Sequence, residues 1–173
     1  MAGHTMKAHW LVLIAGLTGC GTSGAAPSAR EPSPRGEALV LARVKVIADG
    51  KAVNWSGWSV APFRIYLQAD TSSTAGGHTV SGDGAFSWHL PAGGYTLTGF
   101  AWGERSGHVV ARFAAPEPPA TLCIGTLTIT IERGRYSPAV EDECEQLVRG
   151  FTSRSPQKTS GHVTHLMRLE ALR

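Results

Sequence analysis

The stretch Gly84-Ala85-Phe86-Ser87-Trp88-His89-Leu90-Pro91-Ala92-Gly93-Gly94-Tyr95 decides the fold. Phe86, Trp88 and Leu90 alternate with small or polar residues, which is the period of a β-strand that buries one face. Proline and glycine come next, and such residues form the turns between strands. Tyr95 begins a second alternating run, so the stretch predicts two strands joined by a turn.

Strand-like runs of the same kind lie on both sides of this stretch. They occupy residues 38–48, 63–67, 85–90, 95–102, 108–113 and 122–132, with turn residues between them. Residues 70–78 are rich in Ser, Thr and Gly and are predicted to form a loop. Short strands with no helical pattern between them favour antiparallel pairing over βαβ units. The sequence therefore predicts an all-β protein built as an antiparallel β-sandwich.

Helical character appears only after these strands. Ser137-Pro138 is typical of a capped helix start, acidic residues follow it, and Gly150 is the predicted end. The apolar residues that would share one face of this helix are Val140, Cys144, Leu147 and Val148. A second amphipathic stretch, residues 163–172, predicts a closing helix. The sandwich is thus expected to carry a short C-terminal helical tail.

Residues 84–95 have the form Gly-x-aromatic-x-aromatic-x-Leu-Pro-x-Gly-x-Tyr, which resembles the signature of carboxypeptidase regulatory-like, transthyretin-like domains. The resemblance covers about residues 38–133, although the segment 54–62 departs from it. It implies a sandwich in which Tyr95 acts as a tyrosine corner, its hydroxyl bonded to upstream backbone. Such sandwiches serve as spacers, sugar-binding modules and assembly partners, so the resemblance implies no single activity.

The N-terminus carries the layout of a secretory signal. Lys7 precedes an apolar run over residues 10–17 that is too short to span a bilayer. The run ends in Leu17-Thr18-Gly19-Cys20, which resembles the lipobox of bacterial lipoproteins, where the cysteine is lipidated and becomes the mature N-terminus. The resemblance implies an anchor at Cys20, and Gly21 in place of aspartate implies the outer membrane. An uncleaved anchor and an ordinary signal with an incidental cysteine are the alternatives.

These motifs divide the chain into four parts. Residues 1–19 are predicted to be a lipoprotein signal peptide and residues 20–37 a flexible tether, because the latter are rich in Gly, Ala, Pro and Ser. Residues 38–133 would form the sandwich, and residues 134–173 the helical tail.

The chain has three cysteines. Once Cys20 is assigned to lipid, Cys123 and Cys144 remain as an even pair, which an oxidising periplasm favours as a disulfide. Two free buried thiols are the alternative. A disulfide at these positions would pin the tail to the sandwich.

The composition argues against several classes of function. The formal net charge is +3, and the basic residues are scattered rather than gathered into the stripe that nucleic-acid binding needs. No Gly-x-Ser-x-Gly string marks a nucleophile. The histidines His78, His89, His108, His162 and His165 are also scattered, and a metal site would need more ligands at short spacing. We therefore expect no nucleic acid partner, no catalytic residue, no metal and no cofactor.

Trp55 and Trp58 flank Ser56-Gly57 in a polar stretch. Exposed aromatic residues on a sandwich loop are the platform on which a sugar ring stacks, so these two tryptophans are the candidate ligand-binding residues. The alternative is that both indoles cover a sheet end, where each buries more than about 100 Å².

Together these patterns predict a lipoprotein anchored in the outer membrane through Cys20 and facing the periplasm, with the cell surface as the alternative location. It would be a non-enzymatic structural or binding module. Two further functions stay open: binding of envelope glycans through Trp55 and Trp58, and assembly with envelope proteins, for example in a secretion complex.

Overall fold

The computed structural model describes residues 36–53, 62–80, 82–154 and 161–171. Within these ranges the chain forms two six-stranded sheets and one helix. Val40 and Val44 from one sheet and Ile65 and Leu97 from the other lie in a shared hydrophobic core. The predicted all-β sandwich with a short helix is confirmed.

The elements in chain order are β1 (Ala38–Ala48), β2 (Lys51–Ala52), β3 (Phe63–Ala69), β4 (Gly76–Val80), β5 (Ala85–Leu90), β6 (Gly93–Trp102), β7 (Arg105–Gly107), β8 (Ala111–Ala115), β9 (Thr121–Glu132), β10 (Arg135–Glu141), α1 (Cys144–Arg154), β11 (Val163–Thr164) and β12 (Arg168–Leu169). The first sheet has the order β10-β9-β1-β2, with β5 also paired to β1 and β11 to β9. The second sheet has the order β12-β8-β6-β3-β4, with β7 also paired to β6.

Residues 84–95 form the predicted pair of strands, β5 and β6, which lie in different sheets. The chain crosses from one sheet to the other through Pro91 and Ala92. The predicted loop over residues 70–78 extends too far, because β4 begins at Gly76 and pairs with β3. A strand that starts with two glycines has no side-chain alternation there, so its pattern is invisible in the sequence.

The first sheet departs from the predicted antiparallel pairing. Strand β1 runs parallel to β9, and β9 runs parallel to β11. After β5 the chain builds β6, β7 and β8 in the second sheet and returns beside the start of β1, where Leu39 N–H donates to Ala120 O at 2.9 Å. Strand period alone carries no direction, so this parallel pair could not be predicted from alternation.

A β-bulge in β9 sets which side chains face outward. The register moves from Leu41 opposite Cys123 to Arg43 opposite Thr126, so β9 holds one extra residue. Gly125 has a positive φ of 86° at this point. Because of the extra residue, Cys123 and Thr126 both lie on the outer face of the first sheet, where the helix packs.

The tail differs from its prediction. Residues 135–141 form strand β10, and the helix begins at Cys144 and continues past Gly150 to Arg154. Ser137-Pro138 and the acids after it look like a helix start. However, Tyr136, Pro138 and Val140 alternate with exposed neighbours and pair with β9, so the period is that of a strand.

The predicted closing helix over residues 163–172 is also wrong, because its described part contains the short strands β11 and β12. We call residues 161–171 the C-terminal strap. The strap pairs with β9 in the first sheet and β8 in the second, and Met167 between them is buried in the core. The part of the chain described here contains no helix long and apolar enough to cross a membrane.

Candidate functional site

The helix is bound covalently to the outer face of the first sheet. Cys123 on β9 and Cys144 at the start of α1 form a disulfide with a Cα–Cα distance of 5.7 Å. Both cysteines are buried, and Leu147 packs with them in a second small hydrophobic cluster. The predicted pair is confirmed, and the alternative of two free thiols is wrong. The bridge pins the tail to the sandwich, as expected.

A carboxylate just before the helix adds a polar attachment next to the disulfide. Glu143 Oε2 accepts hydrogen bonds from Thr126 Oγ1 at 2.9 Å and from Arg43 Nη1 at 3.2 Å. Lys45 Nζ donates to the other oxygen, Oε1. Arg43 and Lys45 come from β1 and Thr126 from β9, so Glu143 connects the helix to both central strands of the first sheet.

These contacts govern the ionisation of Glu143. Burial by itself raises the pKa of this carboxyl, but hydrogen bonds from Lys45, Thr126 and Arg43 outweigh the burial, and the pKa lies below its ordinary value. The side chain is 17% exposed, so solvent screens these bonds only partly. Glu143 is therefore held ionised at neutral pH.

Two more carboxylates border this group. Arg43 Nη2 lies 3.4 Å from Asp83 Oδ2 in the turn before β5, and Lys45 Nζ lies 3.7 Å from Glu141 Oε2. Thr128 Oγ1 donates to Glu141 Oε1 at 3.0 Å. We call Arg43, Lys45, Asp83, Glu141 and Glu143 the clasp. Its carboxylates are occupied by cations and hydroxyls, so its chemistry is that of a structural attachment.

The acids before the helix were predicted only as part of a helix start, and this role of Glu143 was missed. Asp142 caps the helix, since its Oδ1 accepts from Cys144 N–H at 3.2 Å, and Glu145 is exposed on the first turn. Glu143 instead turns towards the sheet. The available signal was the pair Arg43 and Lys45, which places two cations on one face of an otherwise apolar strand.

Aromatic rings fill the core on the inner side of β5, β6 and β8. Tyr95 stacks on Phe113 with ring centroids 5.6 Å apart, and Phe113 in turn lies 6.3 Å from Trp88. Tyr95 Oη donates to Pro91 O at 3.0 Å, which confirms the hydroxyl-to-upstream-backbone bond expected of a tyrosine corner. Trp88 is buried as predicted, whereas Trp102 is only partly buried and carries the Arg105 guanidinium 5.8 Å from its ring centre.

The histidines do not converge. His78 packs edge-on against Trp88 at 5.2 Å between ring centroids, and burial lowers its pKa. His108 is exposed just after β7, and His162 and His165 are exposed on the C-terminal strap. Among the described residues, no group of three or more His, Cys, Asp or Glu side chains lies close enough to hold a metal ion.

The sandwich has two distinct ends. At one end β1 begins at Ala38, which pairs with Leu90. At the other end lie the turns Asp49-Gly50 and Arg133-Gly134, whose four residues all have positive φ. Strand β3 begins at this same end, where Phe63 pairs with Trp102. We call this the loop end.

The structure does not describe the candidate ligand-binding and lipidation residues. Trp55 and Trp58 belong to the connection between β2 and β3, and Cys20 precedes residue 36, so all three lie outside the described residues.

No protein-family model and no curated protein matches the chain.

Proposed function

We propose that this chain is a lipid-anchored module of the bacterial outer membrane that faces the periplasm and acts by binding, not by catalysis. The observation that carries the proposal is the disulfide between Cys123 and Cys144. Disulfides persist in oxidising compartments such as the periplasm. With two of the three cysteines paired, Cys20 is the one cysteine left for another role, and it stands in a lipobox-like sequence.

The point at which the chain enters the sandwich supports the same proposal. The chain enters the sandwich at Ala38, and β1 spans 11 residues before the turn at Asp49-Gly50. At about 3.3 Å per residue this strand is roughly 35 Å long. A lipid at Cys20 would hold the Ala38 end towards the membrane and leave the loop end free to meet a partner. The bond from Tyr95 to Pro91 further supports the resemblance to carboxypeptidase regulatory-like domains, many of which are non-catalytic.

Membrane fractionation of a Cys20→Ser variant tests the anchor. Acyl chains contribute about 0.8 kcal/mol per buried methylene, so their loss should move the protein into the soluble fraction. The matched control is the double variant Cys123→Ser, Cys144→Ser, which also loses cysteines but keeps the lipidation position and should stay with membranes. Sedimentation of the Cys20→Ser variant with membranes at the wild-type level would refute the anchor.

A second candidate function is glycan binding through Trp55 and Trp58. What supports this candidate is that the strands before and after these tryptophans, β2 and β3, belong to different sheets. The test is retention on a peptidoglycan or polysaccharide column. The double variant Trp55→Ala, Trp58→Ala should elute early, whereas Arg105→Ala at the same end should be retained. Equal retention of the double variant and the wild type excludes the glycan function.

A further inference from the structure

One edge of the second sheet ends in an unusually short strand. Strand β12 pairs with β8 through Arg168 opposite Arg112 and Leu169 opposite Ala111, and it is the last strand in the order of that sheet. No described strand pairs with its other side. Strand β10 of the first sheet lies near β12 but does not pair with it. The backbone groups on this side of β12 are therefore not paired with a described strand, and another strand can bind them.

The backbone of Leu169 points towards that open side. Glu170 N–H donates to Val110 O at 2.8 Å, so Glu170 directs its backbone to β8. Successive residues of an antiparallel strand direct their backbone groups to opposite neighbours. Leu169 therefore turns its N–H and C=O away from β8. Leu169 is 37% exposed. Val163 is the one other exposed large hydrophobic residue among the described residues.

The charges around Leu169 are unbalanced within one copy. Arg168 lies directly opposite Arg112, and like charges in that position destabilise a strand pair. Glu170 Oε1 lies 3.2 Å from Arg112 Nε and so neutralises Arg112. Within the described ranges, no carboxylate comes within 4 Å of the Arg168 side chain. A carboxylate from another molecule would neutralise the charge of Arg168.

We propose that β12 is the contact through which two copies of this chain pair. If two β12 strands meet antiparallel with Leu169 opposite Leu169 of the second copy, Arg168 falls opposite Glu170 of that copy, and the reverse holds by symmetry. The segment Arg168-Leu169-Glu170 is thus complementary to itself, which a two-fold interface requires. The two leucine side chains also cover each other. The edge strand β10 of the first sheet is less suited, because Pro138 interrupts its row of donors.

The proposed contact buries little surface, so its formation depends on the local concentration of the chain. Three residues a side bury far less than the roughly 1,200 Å² of a stable interface. The proposed lipid anchor would confine the copies to one surface and raise their effective concentration. The pairing is accordingly expected on the membrane and weak in dilute solution, and in this respect it rests on the proposed function.

Disulfide trapping of a Leu169→Cys variant tests the pairing in the full-length protein on native membranes. Directly opposed residues in a hydrogen-bonded antiparallel pair lie about 5.5 Å apart between Cα atoms, a distance that a disulfide spans. We expect mild oxidation to give a dimer on a non-reducing gel. The matched control is Thr79→Cys, an exposed position on β4 at the opposite edge of the same sheet, which should stay monomeric.

A charge exchange decides whether the trapped contact has the proposed register. In the Leu169→Cys background, Arg168→Glu alone and Glu170→Arg alone should each lose the dimer band, because each places like charges opposite one another. Co-expression of the two should restore it as a mixed dimer. Loss of the band for Leu169→Cys itself, in protein that still sediments with membranes, overturns the pairing and leaves the anchor intact. A band of equal strength for Thr79→Cys, or no recovery on co-expression, overturns it as well.

Discussion

Gly125 and Leu166 are in such close contact that no side chain fits between them. A Cβ atom added to Gly125 would lie 2.8 Å from Leu166 Cδ2 and 2.8 Å from the backbone oxygen of Glu141. Gly125 lies in the β9 bulge, and Leu166 belongs to the C-terminal strap. The bulge that turns Cys123 and Thr126 to the same face also leaves room for the strap. One backbone irregularity therefore positions the disulfide, the clasp and the strap together.

Gly125→Ala should lower the free energy of unfolding by more than the left-handed backbone alone costs. That backbone costs roughly 1–2 kcal/mol for a residue with a Cβ, and the clash with the Glu141 carbonyl adds to it. Gly134→Ala is the matched control, because Gly134 has a similar φ of 77° and open space around it. Urea denaturation of both variants measures the difference. Equal destabilisation would show that the strap does not need the space at Gly125.

Glu143→Gln should destabilise the attachment of the helix, since a hydrogen bond to a charged group makes a net contribution of about 1.5–3 kcal/mol. The pKa of Glu143 is lowered in the folded protein, so the unfolded chain binds the proton more readily. Its contribution is therefore present above the ordinary value near 4.5 and is lost as the pH falls through the lower folded value.

Thermal unfolding between pH 7 and pH 3 checks this dependence. The loss of stability of the wild type below about pH 4.5 should be smaller in Glu143→Gln, because the variant has no carboxyl to protonate at this position. Glu145→Gln, at an exposed position on the first turn, should retain the wild-type profile. An unchanged acid slope in Glu143→Gln would assign the pH dependence to other carboxyls.

Tyr95→Phe should remove one hydrogen bond without opening a cavity. The expected loss is about 0.5–1.5 kcal/mol, the usual net value of such a bond. Tyr66→Phe is the control, because Tyr66 is partly buried on β3 and no hydrogen bond of its hydroxyl is found among the described residues. Differential scanning calorimetry should show a lower melting temperature for Tyr95→Phe only. A similar shift in both variants would mean that the bond to Pro91 O contributes nothing specific.

Reduction of the disulfide should loosen the tail first. A bridge across a separation of 21 residues is expected to stabilise the fold by about 3 kcal/mol through the entropy of the unfolded chain. The bridge also joins α1 directly to β9, so its loss lets α1 separate from the sheet without unfolding the sandwich. Hydrogen exchange in the double variant Cys123→Ser, Cys144→Ser should rise most in α1, while amides at the β1 and β9 pair stay better protected. Uniform exchange across both sheets would contradict a local role for the bridge.

The sequence predicted the parts of this fold that depend on local pattern. Phe86, Trp88 and Leu90 alternate, and these residues do form a strand with its inner face in the core. The tail was less predictable, because Pro138 and the acids after it fit both a helix start and an edge strand. The pairing of residues 135–141 with β9 decides between them, and that contact is not visible in the local sequence.

The clasp was missed for the same reason. Arg43 and Glu143 are 100 residues apart in the chain, and they meet only because β1 and β9 are parallel neighbours. Cys123 and Cys144 were predictable despite their separation, because an even pair of cysteines in a chain predicted to be exported is expected to form a disulfide. Composition reveals such a pair, whereas Arg43 and Lys45 on one face of an apolar strand do not show which of the acidic residues they contact.

Mass spectrometry of the protein extracted from membranes tests the central claim most directly. If the chain is a lipid-anchored module, the first peptide should begin at Cys20 and carry the mass of a diacylglyceryl group and an acyl chain. Residues 1–19 should be absent from the mature protein. Detection of an unmodified Cys20, or of residues 1–19 still joined to the membrane-bound protein, would contradict the account.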